Sequence, residues 1–160
     1  MRYLTPAVDM VVYDRRRRPQ VLVKIKMKRQ ASPEWVRETA QLLWDDEEMP
    51  EAPFFLLAMP DQFCLWCNPA HTMRQALAPD YAADPATLLR PFAQGNPFNT
   101  GTLNLNAFGL ELWTATWLDL LTDPRSSSLV QANQRPFLEK SGLLAVIQGG
   151  QLVTEERAAA

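Results

Sequence analysis

The chain has 160 residues, of which 47% are hydrophobic and 21% are charged, and its formal net charge is -2. That length suffices for one well-filled hydrophobic core, so residues 1–160 are predicted to form a single domain. No apolar stretch approaches the roughly 20 residues of a membrane span and no signal peptide is visible, so we expect a cytoplasmic protein without a membrane partner.

The first 68 residues predict the element order β-β-α-β-β around a mixed sheet. β-Branched residues and short apolar runs indicate the strands, and Ser32 followed by Pro33 is a typical helix start. Trp35, Ala40 or Thr39, Leu42 and Leu43 are predicted to supply the apolar stripe of that helix. The predicted strands cover residues 7–13, 21–27, 53–59 and 63–67, with a turn at 14–20 and a helix at 33–44.

Two cysteines lie three residues apart, at Cys64 and Cys67. In a strand, residues at that spacing point to opposite faces, which disfavours a disulfide or a shared metal ion. Free thiols in a reducing compartment are therefore predicted.

The remainder of the chain predicts shorter elements between prolines and turns. A helix at residues 108–121 places Trp113 and Trp117 on one face, either in the core or against a second copy in a homodimer or larger complex. Residues 69–107 are predicted to be irregular apart from a short helix at 85–90. Further predictions are a short helix at 135–141 and a hairpin that joins residues 143–147 to 151–153.

The basic residues are concentrated near the N-terminus. Residues 1–30 carry nine Lys or Arg and two acids, whereas the other 130 residues carry a net charge of -9. A concentrated positive charge suits phosphate, so DNA is the expected partner, although a solvated hairpin tip explains the arginines equally well. The predicted nucleic-acid contacts are Arg15, Arg16, Arg17, Arg18, Lys28 and Arg29, together with Lys24 and Lys26.

One acidic residue and two lysines have the spacing of a hydrolytic site. Asp9 lies in the first predicted strand, and Lys24, Ile25 and Lys26 lie in the second. Residues at i and i+2 of a strand share a face. Phosphodiester hydrolysis uses a divalent cation with oxygen ligands and a lysine that positions water or stabilises developing charge.

Residues 5–67 resemble the PD-(D/E)XK, or restriction-endonuclease-like, superfamily, and most nearly the N-terminal nuclease module of type I restriction motor subunits. The resemblance implies an α/β fold with a mixed central sheet flanked by helices, and metal-dependent DNA cleavage with Mg²⁺ or Mn²⁺. It assigns Asp9 and the carbonyl of Ile25 as metal ligands and Lys26 as the catalytic lysine. The residues that carry it are VDMVVY at 8–13, PQVLVKIK at 19–26 and FFLLAMPDQFCLW at 54–66.

The chain departs from the family pattern at Lys24, which stands where the second carboxylate is expected. Two like charges about 4 Å apart cost on the order of 4 kcal/mol at an effective dielectric near 20, and a divalent ion doubles that cost. Metal binding with Asp9 as the sole carboxylate is therefore predicted to be poor, and cleavage weak or absent.

Three interpretations of Lys24 stay open. The acid has moved to the following helix, where Glu38, or else Glu34, replaces it with Gln41 in support. Alternatively the site is inactive, through natural decay or deliberate substitution, and Asp9 pairs with Lys24 or Lys26. In the third, the nuclease resemblance does not apply, and Lys24, Lys26 and Lys28 form a basic strand face for an acidic partner. The alternative function is a non-catalytic nucleic-acid-binding or protein-binding module on a decayed nuclease scaffold.

Overall fold

The protein, described from a computed structural model, forms a six-stranded mixed β-sheet with helices on both faces. The structure describes residues 8–45, 49–93, 107–130 and 132–154. The predicted α/β class and the mixed sheet flanked by helices are confirmed. In the described ranges, no helix has both the length and the apolar character needed to cross a membrane.

The strand order of the sheet is β5-β4-β3-β2-β1-β6. The β2–β3 pair is parallel and the other four pairs are antiparallel. A parallel pair needs a crossover connection, which the helix between β2 and β3 supplies. The strands are β1 (Met10–Tyr13), β2 (Pro19–Ile25), β3 (Phe54–Ala58), β4 (Phe63–Cys67), β5 (Tyr81–Ala83) and β6 (Gln151–Thr154).

Five α-helices lie in the described ranges, together with shorter helical turns. The helices are α1 (Pro33–Trp44), α2 (Pro69–Thr72), α3 (Pro85–Ala93), α4 (Ala107–Leu121) and α5 (Leu143–Ile147). The turns are 3₁₀ at Pro124–Leu129 and Ala132–Gln134 and a π-type turn at Pro136–Lys140.

Helix α1 forms where the sequence predicts it and covers one face of the sheet. The Ser32 side chain accepts a hydrogen bond from the Trp35 amide, 3.1 Å away, which satisfies one free N–H of the first turn. Val36, Ala40 and Trp44 recur every four residues and are buried against the sheet. The predicted apolar stripe was wrong at Leu42, which is 75% exposed, because the buried face is set by Val36 instead.

The opposite face of the sheet is covered by α3, α4, α5 and the π-type turn. Trp117 of α4 lies between Phe63 of β4 and Phe137, with ring centroids 5.6 and 6.4 Å away. Trp113 is also buried in this cluster, so both tryptophans are core residues. Their placement in the core is the first of the two predicted alternatives.

The two cysteines lie on opposite faces of the sheet, as predicted. Cys64 is buried among the side chains under α1, whereas Cys67 packs against the other cluster. Both thiols are free. Burial raises the pKa of Cys64 to about 12, so this thiol stays protonated and inert near neutral pH.

The C-terminal part differs from its prediction. Residues 143–147 form helix α5 and not a strand, so the predicted hairpin around Gly149 and Gly150 was wrong. Strand β6 pairs with β1 instead, antiparallel. The short apolar run of α5 fits either a strand or a buried helix by periodicity, and the vacant edge of β1 decides where β6 pairs.

Two smaller differences concern the first residue of β2 and the presence of β5. Pro19 begins β2, although it was predicted in the turn, because a proline is tolerated as the first residue of a strand. Residues 81–83 form β5 within a segment predicted to be irregular. Three residues with mixed burial give too short a pattern to detect.

Gly150 provides a test of the tight packing between the α5–β6 turn and β1. A Cβ atom at Gly150 would overlap the carbonyl oxygen of Tyr13 and crowd that of Ile147. Because both obstacles are backbone, we expect Gly150→Ala to lower the free energy of unfolding by about 3 kcal/mol. Gly142 has a φ of 85°, and a Cβ there would make only an ordinary van der Waals contact, 3.9 Å from Cζ of Phe54, so Gly142→Ala should cost only about 1 kcal/mol of backbone strain. Urea denaturation measures both, and equal losses would contradict the close approach.

Candidate functional site

Three strands bring their ends together at one side of the sheet. Since β1 is antiparallel to β2 and β2 is parallel to β3, the start of β1 meets the ends of β2 and β3. Asp9 precedes β1, Lys24 and Ile25 end β2, and Asp61 lies in the turn after β3. We call this region, with Lys26, the Asp9 end of the sheet.

The Asp9 carboxylate is held by two neighbours from β2. Oδ2 accepts a hydrogen bond from the Ile25 amide at 2.7 Å, and Oδ1 lies 3.6 Å from Nζ of Lys24. The Asp9 amide donates to the Val23 carbonyl at 2.8 Å, which continues the β1–β2 pairing and sets Asp9 opposite Lys24. The ion pair expected of an inactive site is therefore present.

The hydrogen bond to Ile25 follows from the geometry of the strand end. The Lys26 amide pairs with the Ala58 carbonyl of β3 at 2.9 Å, so the Ile25 amide faces the β1 side, where a strand would normally supply a carbonyl. The Asp9 side chain supplies that acceptor. An amide left without an acceptor here would cost on the order of 1–3 kcal/mol.

Residues 26–30, which follow β2 and are called the basic segment below, are anchored at both ends. The first anchor is the Lys26 amide bond to β3, and the second is the Gln30 amide, which donates to Oδ2 of Asp61 at 2.8 Å. Between them Lys28 and Arg29 are exposed, and Lys26 is half-buried. Among the described residues, no ion pair involves Lys26 or Lys28.

Glu38, the acid predicted on helix α1 to replace the missing carboxylate, does not lie at the Asp9 end. Glu38 is exposed and lies about 200° around the helix from the buried Val36 and Ala40, so it faces away from the sheet. Nε2 of Gln41 instead contacts the carbonyl oxygen of Arg74, at 3.4 Å. Glu34 is exposed in the first turn. The structure thus brings Asp9, Lys24 and Ile25 together, but neither Glu38 nor Gln41 with them.

The residues at the Asp9 end do not fit a divalent cation. Hard cations require several oxygen ligands, whereas one Asp9 oxygen accepts the Ile25 amide and the other faces an ammonium group. Within the part of the chain that the structure describes, no three His, Cys, Asp or Glu side chains form a group able to hold a metal ion. The donor set therefore disagrees with the metal that the family resemblance implies.

The four arginines predicted to act with the lysines lie at the opposite end of the strands. Asp14 follows β1 and accepts from the amides of Arg16 and Arg18 and from Nε of Arg18, 2.9 Å away. These bonds, above all the one from the Arg18 amide, lower the pKa of the Asp14 carboxyl. Asp9 and Asp14 are five positions apart along β1, which corresponds to about 17 Å.

Arg15 and Arg18 are both engaged within this hairpin tip. Arg18 pairs with Asp14, and the Arg15 guanidinium lies directly against Gly149. A surface cleft of about 570 Å³ opens at the same end, with Arg18, Gln20, Glu51 and Asn68 in its wall. The cleft is therefore remote from Asp9.

Two residues at the Asp9 end, Asp61 and Trp35, were not predicted as site residues from the sequence. Asp61 lies between the predicted strands at 53–59 and 63–67, and its contact with Gln30 forms only because the loop after β2 approaches the β3–β4 turn. Trp35 was assigned to the apolar stripe, but it is only partly buried and lies 5.8 Å from Nζ of Lys28. Trp35 lies in the first turn of α1, directly before the buried Val36. That place is the signal in the sequence that could have indicated a residue at the edge of the buried face.

Comparisons of the chain with family models, with curated proteins and with solved structures find no match. Function is therefore inferred from the contacts and charges of the residues at the Asp9 end.

Substitutions at Asp9 separate its hydrogen bond from its ion pair. Asp9→Ala removes both, and we expect a loss of about 2 kcal/mol in the free energy of unfolding, since a partly buried amide loses a charged acceptor. Asp9→Asn keeps an acceptor for the Ile25 amide, so we expect a loss below about 1 kcal/mol, as for a partly exposed ion pair. Urea denaturation gives both values. Equal losses would show that the ion pair with Lys24, and not the hydrogen bond, fixes this end.

Proposed function

We propose that the protein binds DNA on a restriction-endonuclease-like scaffold whose cleavage site is impaired by Lys24. The observation that carries the proposal is the ion pair between Lys24 and Asp9, at 3.6 Å, within the residues that the resemblance assigns to the metal. The ammonium group occupies the neighbourhood in which a second carboxylate would be needed. With Lys24 in place, the protein is expected to show weak or no phosphodiester cleavage.

Support for the scaffold comes from the arrangement around β2. An antiparallel hairpin, β1–β2, is followed by the crossover helix α1 and a parallel strand, β3. Asp9 and the Lys24–Lys26 segment lie in adjacent strands and meet at the same end. This is the spatial relation that the PD-(D/E)XK resemblance requires.

Support for DNA as the ligand comes from the charges beside Asp9. Lys26, Lys28 and Arg29 follow one another on a segment anchored at both ends. A segment whose backbone is already anchored loses less conformational entropy on binding phosphate than a mobile segment does. Phosphate contacts of this kind supply most non-specific affinity for DNA.

Restoring the acid at position 24 tests the impaired site. Lys24→Glu removes the positive charge and adds a second carboxylate beside Asp9, so we expect Mg²⁺ or Mn²⁺ to bind and plasmid nicking to appear. Calorimetry measures the metal and gel electrophoresis the nicking, each against the parent chain.

The matched control is Lys24→Gln, which removes the charge without adding a ligand. It should bind metal more weakly than Lys24→Glu and should not nick DNA. If Lys24→Glu folds but neither binds metal nor nicks, the cleavage part of the proposal is wrong, and the non-catalytic alternative is preferred.

The salt dependence of DNA affinity tests the basic segment. Log affinity should fall linearly with log salt concentration, and each phosphate contact removed should reduce the slope by about 0.9. We expect this reduction for Lys26→Gln and for Lys28→Gln, measured by fluorescence anisotropy between about 50 and 200 mM salt. Lys140→Gln, an exposed site on the π-type turn, serves as the control and should leave the slope unchanged.

The same titration identifies the competing function. A chain that shows little DNA affinity even at low salt would be a protein-docking module on this scaffold. A comparable loss of slope for Arg16→Gln and Arg17→Gln would extend the DNA contact to the hairpin tip, about 17 Å away.

A further inference from the structure

Trp35 stands out among the aromatic side chains because it packs against the core and also contacts Lys28 of the basic segment. One side of the residue packs against the cluster under α1, yet the residue stays partly exposed. Nζ of the exposed Lys28 lies 5.8 Å from its ring centroid. That distance is near the outer limit of a cation–π contact, and an exposed contact of this kind is weak.

Helix geometry places this ring at the Asp9 end. Helix α1 begins after β2 ends and runs back along the sheet, so its first turn lies near Lys24 and Lys26, whereas Trp44 lies at the far end of α1 with Pro19. Trp35 is in the first turn, held by the bond from its amide to Ser32. The aromatic ring therefore lies at the same end of the sheet as the lysines and next to Lys28.

We propose that the Asp9 end binds single-stranded nucleic acid, with one unpaired base stacked on Trp35 and the adjacent phosphates on Lys26 and Lys28. This inference rests on the proposed function and names the form of its ligand. A positively charged track beside an aromatic platform is the arrangement that binds single strands, because every base has a face that can stack.

Lys28 links the two halves of this site. Without ligand its ammonium lies over the indole ring, and a phosphate offers it a stronger, charge-assisted partner. When Lys28 turns to the phosphate, the indole face becomes available to the base. A paired base inside a duplex is stacked on its neighbours and has no free face to offer, so duplex DNA gains only the phosphate contacts.

The experiment compares Trp35→Leu, Trp35→Phe and the parent chain. Each protein is titrated against a fluorescein-labelled 12-nucleotide DNA strand and the matching duplex at about 50 mM salt. Base–aromatic stacking contributes about 1–3 kcal/mol per base, so Trp35→Leu should weaken single-strand binding roughly 5- to 150-fold. Duplex affinity should change less than about twofold, since phosphate contacts remain. Trp35→Phe should retain most of the single-strand affinity, because a phenyl ring also stacks.

A second measurement uses the unmodified protein and so does not depend on the variants folding. An abasic strand of equal length has the same phosphates but no bases, and it should bind more weakly than the ordinary strand by a factor similar to the Trp35→Leu effect. Equal affinity for the two strands would overturn the stacking proposal. So would a Trp35→Leu variant that folds and loses single-strand and duplex affinity equally.

The outcomes also separate this inference from the proposed function. Salt-dependent duplex binding that needs Lys26, without any preference for bases in a single strand, overturns the inference and leaves the proposed function standing. The absence of binding to either form of DNA overturns both.

Discussion

The arrangement of the Asp9 end depends on the carboxylate of Asp9 reaching across to β2. Its hydrogen bond to the Ile25 amide completes the pairing of β2 where β1 begins, and its ion pair restrains the Lys24 side chain. The Lys24 side chain is 15% exposed and the Asp9 side chain 31%, so the ion pair is only partly exposed to water. The same carboxylate therefore has a structural role that competes with metal binding.

Under the proposed function, the residue at position 24 decides which kind of ligand the Asp9 end binds, without a change of fold. A carboxylate at position 24 would face Asp9 across the β1–β2 pair, and two close acids favour a bound cation. A lysine there satisfies Asp9 within the protein, and the remaining lysines are left for an external anion. The proposed shift is from a metal centre to a phosphate-binding surface.

The topology of the sheet divides the basic N-terminal segment into two surfaces. Arg15 to Arg18 and Lys24 to Arg29 are close in sequence, but β2 carries them to opposite ends of the sheet. The arginines at the tip are partly engaged with Asp14 and Gly149, whereas Lys26 and Lys28 form no ion pair among the described residues. The lysine segment, with Trp35 beside it, is the stronger candidate for contact with a ligand.

The sequence by itself determined most of the first 68 residues. Apolar alternation and continuous apolar runs located the first four strands, and Ser32 with Pro33 located the start of α1, because these signals depend on residues close in the chain. The pairing of Asp9 with Lys24 was also predictable as one alternative. Tertiary structure decided the rest: α5 instead of a strand, β6 on the free edge of β1, Glu38 turned away from the sheet, and Trp35 beside Lys28. Each of these depends on which surface an element packs against, and short or evenly apolar segments do not encode that choice locally.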